Sequence, residues 1–140
     1  MKLKFFLVSL FALLCISASS QTLMIYGGSN HDVYLGNINT SKYDSNSIWN
    51  KYGTYGSKTS SRSIWNKYGT YGGTYSQYSP FNRMAQYPPV IVDKDGNFYG
   101  YFTANQYKEK KTNYRLAYII INNWEDISED VGAAYDEIFR

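Results

Sequence analysis

The sequence predicts a small α+β domain, in which an antiparallel sheet combines with two C-terminal helices and three Gly/Tyr-rich short-turn repeats of 16 residues. Three observations favour this class. Short apolar runs flank loop-forming residues in two places, an apolar stripe at helical spacing lies near the end of the chain, and a stretch of ten residues occurs twice. We expect a single domain over residues 21–140, a length that suits one small core.

The first 20 residues are typical of a cleaved export signal. Met1–Lys4 carries two lysines, Phe5–Ile16 is apolar apart from Ser9, and small residues follow as far as Ser20. The apolar run of about 12 residues is too short for a membrane-spanning helix, which takes roughly 20. We therefore expect cleavage before Gln21 rather than an uncleaved anchor, a secreted or periplasmic location, and no transmembrane segment after cleavage.

Two antiparallel hairpins are expected, over residues 22–38 and 89–103. Asp-Gly at residues 95–96, between β-branched and aromatic residues, is a strong hairpin signal. The loop 93–97 also hints at calcium, but its glycine lies too early for an EF-hand and position 12 is Ala104, so we expect a turn and no metal. The apolar runs are Leu23–Tyr26, Val33–Ile38, Val90–Val92 and Phe98–Thr103.

The exact repeat lies between the hairpins. Residues 47–56, Ser-Ile-Trp-Asn-Lys-Tyr-Gly-Thr-Tyr-Gly, recur at 63–72, and residues 79–88 form a degenerate third copy. The offset of 16 defines the units 41–56, 57–72 and 73–88. A period of this kind indicates one structural unit that packs on its neighbours.

Each copy is expected to form a single helical turn. Serine is a favoured N-cap and glycine a favoured stop. In the third copy Pro80 directly follows the serine, where a helix accepts proline and a paired strand does not. Ile48 and Tyr52 would then lie on one face of the turn.

Residues 112–140 are predicted to be helical. Thr112–Trp124 is ambiguous because Ile119–Ile121 favours a strand, but Thr112 as a cap favours a helix. Asp126 with Glu129 resembles a capping box at the start of the last helix. The apolar stripe that follows contains Ile127, Val131, Tyr135, Ile138 and Phe139.

Composition and charge exclude several function classes. The single cysteine, Cys15, would leave with the signal, which excludes disulfides, cysteine nucleophiles and cysteine zinc sites from the remaining chain. Loss of Lys2 and Lys4 would reduce the net charge from +3 to +1, so nucleic acid is not an expected partner. With 16 tyrosines and few leucines, we expect a thin core with many rings at its boundary.

Charge is also distributed unevenly along the chain. Residues 41–83 have six basic side chains and one acidic, whereas residues 125–140 have six acidic side chains and one basic. Either the acidic residues serve the first turn of a helix and are otherwise solvated, or the two regions dock on each other.

No catalytic, metal or cofactor site is assigned. His31 lies beside Asp32, but adjacent residues rarely provide base–orienter geometry, and there is neither a second histidine nor a Gly-x-Ser-x-Gly motif. Four C-terminal carboxylates offer a candidate pair for glycoside hydrolysis, although their spacing fits helix capping better. They belong to Glu125, Asp126, Glu129 and Asp130.

The repeats offer the main candidate binding residues. Rigid aromatic rings with short polar partners are typical of adaptable binding surfaces, and flat rings stack on sugars or bases. Alternatively, Ile and Trp are core residues, and Gly and Ser only form turns. The candidate ligand-binding residues are Trp49, Tyr52, Tyr55, Trp65, Tyr68, Tyr71, Phe81, Tyr87, Asn50, Asn66 and Asn82.

These repeats, followed by Ser79-Pro80-Phe81-Asn82 and by Pro-Pro-Val-Ile-Val-Asp-x-Asp-Gly-Asn-Phe-Tyr-Gly at 88–100, resemble a family of small exported bacterial proteins. The resemblance covers about residues 35–103. Related sequences carry a cysteine pair after Leu-Gly, where this chain has Asn37-Ile38-Asn39, so no cysteine-dependent role is implied. The resemblance implies that the protein is exported and supports the motif boundaries, but it implies no activity.

Three functions stay open at this point. The first is a non-enzymatic exported module whose repeat aromatics bind a cell-envelope glycan or protein. The second is a small hydrolase that uses the C-terminal carboxylates, and the third is a purely structural repeat domain. Near-identical repeats build extended faces, whereas a catalytic centre needs unlike groups at one point, which favours the first.

Overall fold

A computed structural model describes residues 21–140 and contains a four-stranded antiparallel sheet and two C-terminal helices. The strands are β1 (Met24–Gly27), β2 (Val33–Asn37), β3 (Val90–Val92) and β4 (Phe98–Tyr101), and the helices are α1 (Arg115–Glu129) and α2 (Val131–Ile138). The predicted α+β class is therefore confirmed. The expected export signal lies outside the described residues.

The sheet joins the two predicted hairpins side by side. Its strand order is β2-β1-β3-β4, with β1 and β3 paired so that Ile25 lies opposite Ile91. Both isoleucines are fully buried. The long insertion between the hairpins is attached to β2, because Ile48 donates its backbone N–H to the carbonyl of Asn37 at 3.0 Å.

The structure describes every residue from 41 to 88, and this segment forms linked turns without a helix. Backbone N–H groups bond to the carbonyl three residues earlier, at 2.9–3.3 Å, and a four-residue step ends each of the first two units. In the first unit the steps run through Ser41, Asp44, Ser47, Asn50, Gly53 and Ser57, and in the second through Ser57, Ser60, Ser63, Asn66, Gly69 and Gly73. Four three-residue steps and one four-residue step make up the 16-residue period, and we call residues 41–88 the turn spiral.

The predicted helical turns are wrong because side chains compete for the backbone donors. The hydroxyl of Ser47 accepts the N–H of Trp49 at 3.0 Å, and the side-chain oxygen Oδ1 of Asn50 accepts the N–H of Tyr52 at 3.1 Å. Such bonds stabilise isolated turns at the expense of a helix. The predicted shared face is wrong as well, because Ile48 is buried and Tyr52 is exposed.

The C-terminal helices are present, but their boundaries differ from the prediction. Thr112 is not the cap of α1, which starts after Tyr114 without a side-chain cap. The backbone bends at Asn123, yet α1 continues through the predicted capping box to Glu129. The cap of α2 is Asp130, whose Oδ1 accepts the N–H of Ala133 at 3.1 Å. Ile127 and Val131, which lie on either side of this cap, are both buried in the core.

The β3–β4 turn is organised by the buried carboxylate of Asp93. It accepts hydrogen bonds from the backbone N–H groups of Asp95 and Asn97, at 2.9 and 3.0 Å, and from the Asn97 amide at 2.9 Å. The Tyr99 hydroxyl and the Gln21 amide donate to it as well, at 2.9 and 2.6 Å. Its oxygens are thus used within the fold, as expected for a turn.

We expect Asp93 to make stability fall in acid. Hydrogen bonds, chiefly from the Asn97 side chain, lower the pKa of Asp93 from 3.8 to about 2. Because the folded pKa is lowered, the ionised carboxylate contributes its full stabilisation above pH 3.8, and this is lost as the pH falls through about 2. Asp93→Asn should lower the thermal unfolding midpoint at neutral pH, and its gap to the unmodified protein should narrow in acid.

Thermal unfolding followed by circular dichroism, at neutral pH and near the folded pKa of Asp93, tests this expectation. Asp95→Asn is the matched control, since Asp95 lies in the same turn and its side chain is exposed. A gap between Asp93→Asn and the unmodified protein that stays constant with pH would contradict the prediction.

Candidate functional site

The tryptophans predicted as binding residues lie in the core. Trp49, Trp65 and Phe81 follow one another at the 16-residue offset and are at most 3% exposed. The ring centroids of Trp49 and Trp65 are 5.8 Å apart, and those of Trp65 and Phe81 are 6.0 Å apart. We call these three residues the core column. Their burial is what the structural alternative expects.

Each indole of the core column ties its unit to the preceding part of the chain. The Trp49 Nε1–H donates to the carbonyl of Ile38 at 2.8 Å, and the Trp65 Nε1–H donates to that of Ile48 at 2.7 Å. A buried indole donor needs such a partner. These hydrogen bonds explain why tryptophan occupies the position in the two identical copies.

The three candidate asparagines brace the turns. Their amide groups donate to the carbonyl six residues earlier, at 2.9–3.3 Å, and their side-chain oxygens accept the N–H two residues later, at 2.9–3.1 Å. These residues are Asn50, Asn66 and Asn82. Because both ends of each side chain are used inside the spiral, we assign them a structural role.

A second column of tyrosines packs the spiral onto the sheet. The Tyr55 ring lies 4.8 Å from that of Tyr34, and an added Cβ at Gly36, where φ is +104°, would lie 2.7 Å from the Tyr55 Cβ. Burial raises the pKa of Tyr34. One unit later, Tyr71 is half-buried near Gly27. Tyr87, at the next offset, stacks on Tyr78 at 5.6 Å and stays partly exposed.

The remaining candidates, Tyr52 and Tyr68, are 87% and 88% exposed. The Nζ of the preceding lysine, Lys51 or Lys67, lies 5.3 Å from the centroid of each ring. Lys42 and Tyr43 form a third pair of the same kind, at 5.5 Å, which the ten-residue motif does not include. Each Lys-Tyr pair directly follows a Ser or Asn that starts a three-residue turn. This three-residue spacing is the sequence signal that could have identified the pair Lys42 and Tyr43.

The three pairs line a continuous groove between the turn spiral and the helices. One depression of about 550 Å³ lies beside Tyr43 and Tyr52, a second of about 410 Å³ beside Tyr52 and Lys58, and a third of about 480 Å³ beside Lys58 and Tyr68. Neighbouring depressions share lining residues, so they form one surface. We call it the tyrosine groove.

The opposite wall of the tyrosine groove is acidic. Asp136 and Asp130 line the first depression, and Glu129 lines the other two. The Lys42 Nζ lies 2.7 Å from an oxygen of Asp136, and this hydrogen bond raises the pKa of Lys42. Lys58 donates to the backbone carbonyl of Glu129 at 3.2 Å. The basic and acidic regions thus dock on each other, as the second interpretation of the charge pattern predicts.

The candidate hydrolytic groups lie at the surface or bond to the backbone of the fold. All four C-terminal carboxylates are exposed, and Asp130 is used as the cap of α2. His31 has a left-handed backbone (φ 55°), and its Nε2 lies 3.2 Å from the carbonyl of Pro88. Neither His31 nor Asp32 lines the tyrosine groove.

Within residues 21–140, no three side chains of the His, Cys, Asp or Glu type are placed so that they could share a metal ion. The same part of the chain contains no helix with the length and apolar character needed to cross a bilayer. The chain matches no protein-family model, no curated protein and no solved structure.

Proposed function

We propose that the chain is an exported, non-enzymatic binding module that holds an extended glycan of the cell envelope in the tyrosine groove. One observation carries the proposal: nearly fully exposed tyrosine rings, each paired with a lysine, recur along one continuous groove. Flat rings stack on the faces of sugars as they do on bases, and the adjacent ammonium and carboxylate groups can hydrogen-bond to hydroxyls.

The repetition supports a polymer with a repeating unit. Tyr52 and Tyr68 occupy the same position in two identical ten-residue copies, with the same lysine geometry. Equivalent subsites can engage successive units of one chain, so affinity should grow with the length of the ligand.

The lining of the groove favours a glycan over a protein partner. Protein interfaces have cores depleted in Lys, Glu and Asp, whereas Lys51, Lys58 and Glu129 lie in the middle of the tyrosine groove. Such groups suit a hydrated ligand with many hydroxyls.

Replacement of the exposed rings tests the proposed function. We expect Tyr52→Ala and Tyr68→Ala each to weaken binding of soluble peptidoglycan strands about tenfold, since stacking contributes about 1–3 kcal/mol per ring. The double variant should lose the increase of affinity with strand length. Isothermal titration with strands of graded length measures both effects.

Tyr107→Ala is the matched control, because Tyr107 is 85% exposed but does not line the groove. It should bind like the unmodified protein. An equal loss in Tyr107→Ala, or no loss in the double variant, would overturn the proposal. If no glycan binds and an envelope protein is captured only with Tyr52 and Tyr68 intact, the partner is a protein.

A further inference from the structure

We propose that a separate cavity at the third repeat unit binds a small organic carboxylate with a flat apolar body. The cavity has a volume of about 400 Å³ and lies between the third unit, the connection after β4 and α1. Its size is that of a small-molecule site. The residues that carry the argument are Phe81, Arg83, Thr103, Lys111, Tyr118 and Trp124.

The cavity lies where the third unit departs from the first two. The position of Lys51 and Lys67 is taken by Arg83, and the following tyrosine is replaced by Met84. In the first two units the lysine lies over its own tyrosine ring. Met84 has no ring, so the guanidinium of Arg83 is not held in this way.

The charge of the cavity favours an anion. Arg83 and Lys111 line it, and no Asp or Glu does. Within residues 21–140, the ion pair that the structure contains joins Lys42 to Asp136. In this part of the chain, neither Arg83 nor Lys111 is therefore paired with a carboxylate. The planar fork of arginine matches both oxygens of a carboxylate.

The apolar side of the cavity is the end of the core column. Trp124 is half-buried and stacks on Phe81, with ring centroids 4.9 Å apart and an interplanar angle of 16°. The exposed ring of Tyr118 lies on the same cavity. A flat apolar body can pack against these rings and shield them from water, whereas an inorganic anion would leave them solvent-exposed.

Thr103 adds a buried polar group. It is only 3% exposed, and its hydroxyl oxygen accepts the N–H of Asn105 at 3.0 Å. No acceptor in the described part of the chain takes the hydrogen of this hydroxyl, so it is available to donate to a carboxylate.

Phenylacetate is a suitable probe, and tryptophan fluorescence is a suitable signal. Trp124 lines the cavity and Trp49 and Trp65 do not, so the change on titration should come mainly from Trp124. We expect saturable binding of phenylacetate, and at least about tenfold weaker binding of phenylacetamide, which lacks the charge, and of acetate, which lacks the ring. Arg83→Gln and Lys111→Gln should each weaken phenylacetate binding about tenfold.

Lys94→Gln is the control, because Lys94 is exposed in the β3–β4 turn and does not line the cavity. It should leave binding unchanged. Equal binding of phenylacetamide, equal binding of inorganic phosphate, or no effect of both cavity substitutions would overturn the proposal, as would absence of saturable binding. Tyr52→Ala should leave binding of phenylacetate unchanged, because Tyr52 does not line this cavity. The carboxylate proposal and the glycan proposal can therefore fail independently of each other.

Discussion

Trp49→Ala is expected to lower the free energy of unfolding by about 3–5 kcal/mol, as large-to-small changes at buried aromatic sites do. The side chain is fully buried. The Trp49 ring packs against the Trp65 ring and also against two rings at the C-terminus. Its centroid lies 6.0 Å from that of Tyr135, in α2, and 5.6 Å from that of Phe139, which directly follows α2. Its removal would therefore open a cavity where the turn spiral meets the helices. This loss is a large part of the roughly 5–15 kcal/mol by which folded domains are stable.

Urea unfolding followed by circular dichroism measures this loss, and two variants separate its causes. Trp49→Phe keeps a ring but leaves the Ile38 carbonyl without its donor, which should cost about 1–2 kcal/mol. Tyr52→Ala lies one turn further on and removes an exposed ring, so its effect should stay within about 0.5 kcal/mol. If Trp49→Ala and Tyr52→Ala proved equally mild, the core column would not hold the spiral in place.

The parts of the fold that the sequence predicts well are those with local causes. The β3–β4 hairpin follows from an Asp-Gly turn between short apolar runs, and the structure has strands at Val90–Val92 and Phe98–Tyr101. The C-terminal helices follow from apolar spacing. The four-residue steps of the turn spiral end at Ser57 and Gly73, which lie 16 residues apart.

The repeat could not be predicted from capping rules, because a different local competition decides it. Ser47 and Asn50 use their side chains to bond the N–H two residues on, and each such bond favours another turn over a helix. A small or polar residue at every third position was the available signal. It runs from Ser41 through Asp44, Ser47 and Asn50 to Gly53.

The inward direction of each column depends on distant parts of the chain. Trp49 and Tyr52 are both aromatic and both recur at the same offset, so periodicity alone cannot distinguish core from surface. Trp49 is kept in the core by two groups that lie outside the repeat. The Ile38 carbonyl accepts its indole N–H, and the Tyr135 ring packs against it. The start of α2 is set by a side chain that was not identified as its cap, because Asp130 rather than Asp126 accepts the N–H of Ala133.

Gly72→Ala is expected to destabilise the protein by about 2–3 kcal/mol, the cost of forcing an atom into filled space. An added Cβ would lie 2.5 Å from the carbonyl oxygen of Ile64 and would also meet that of Asn66. Both neighbours are backbone oxygens, and that of Asn66 cannot move aside without breaking a turn, because it accepts the N–H of Gly69 at 3.0 Å. Chemical unfolding of the variant measures the loss.

Gly56 provides an internal replicate, since a Cβ there would meet the backbone of Asn50, one unit earlier than Asn66. Gly132→Ala is the control: the nearest atom to its Cβ would be 3.7 Å away, in the first turn of α2, where alanine should cost nothing and can gain up to about 1 kcal/mol. Equal losses in Gly56→Ala and Gly72→Ala would show that the identical decapeptides have the same close packing. A loss in Gly132→Ala as large as these would mean that glycine is required for a reason other than space, and the packing of the spiral would need another explanation.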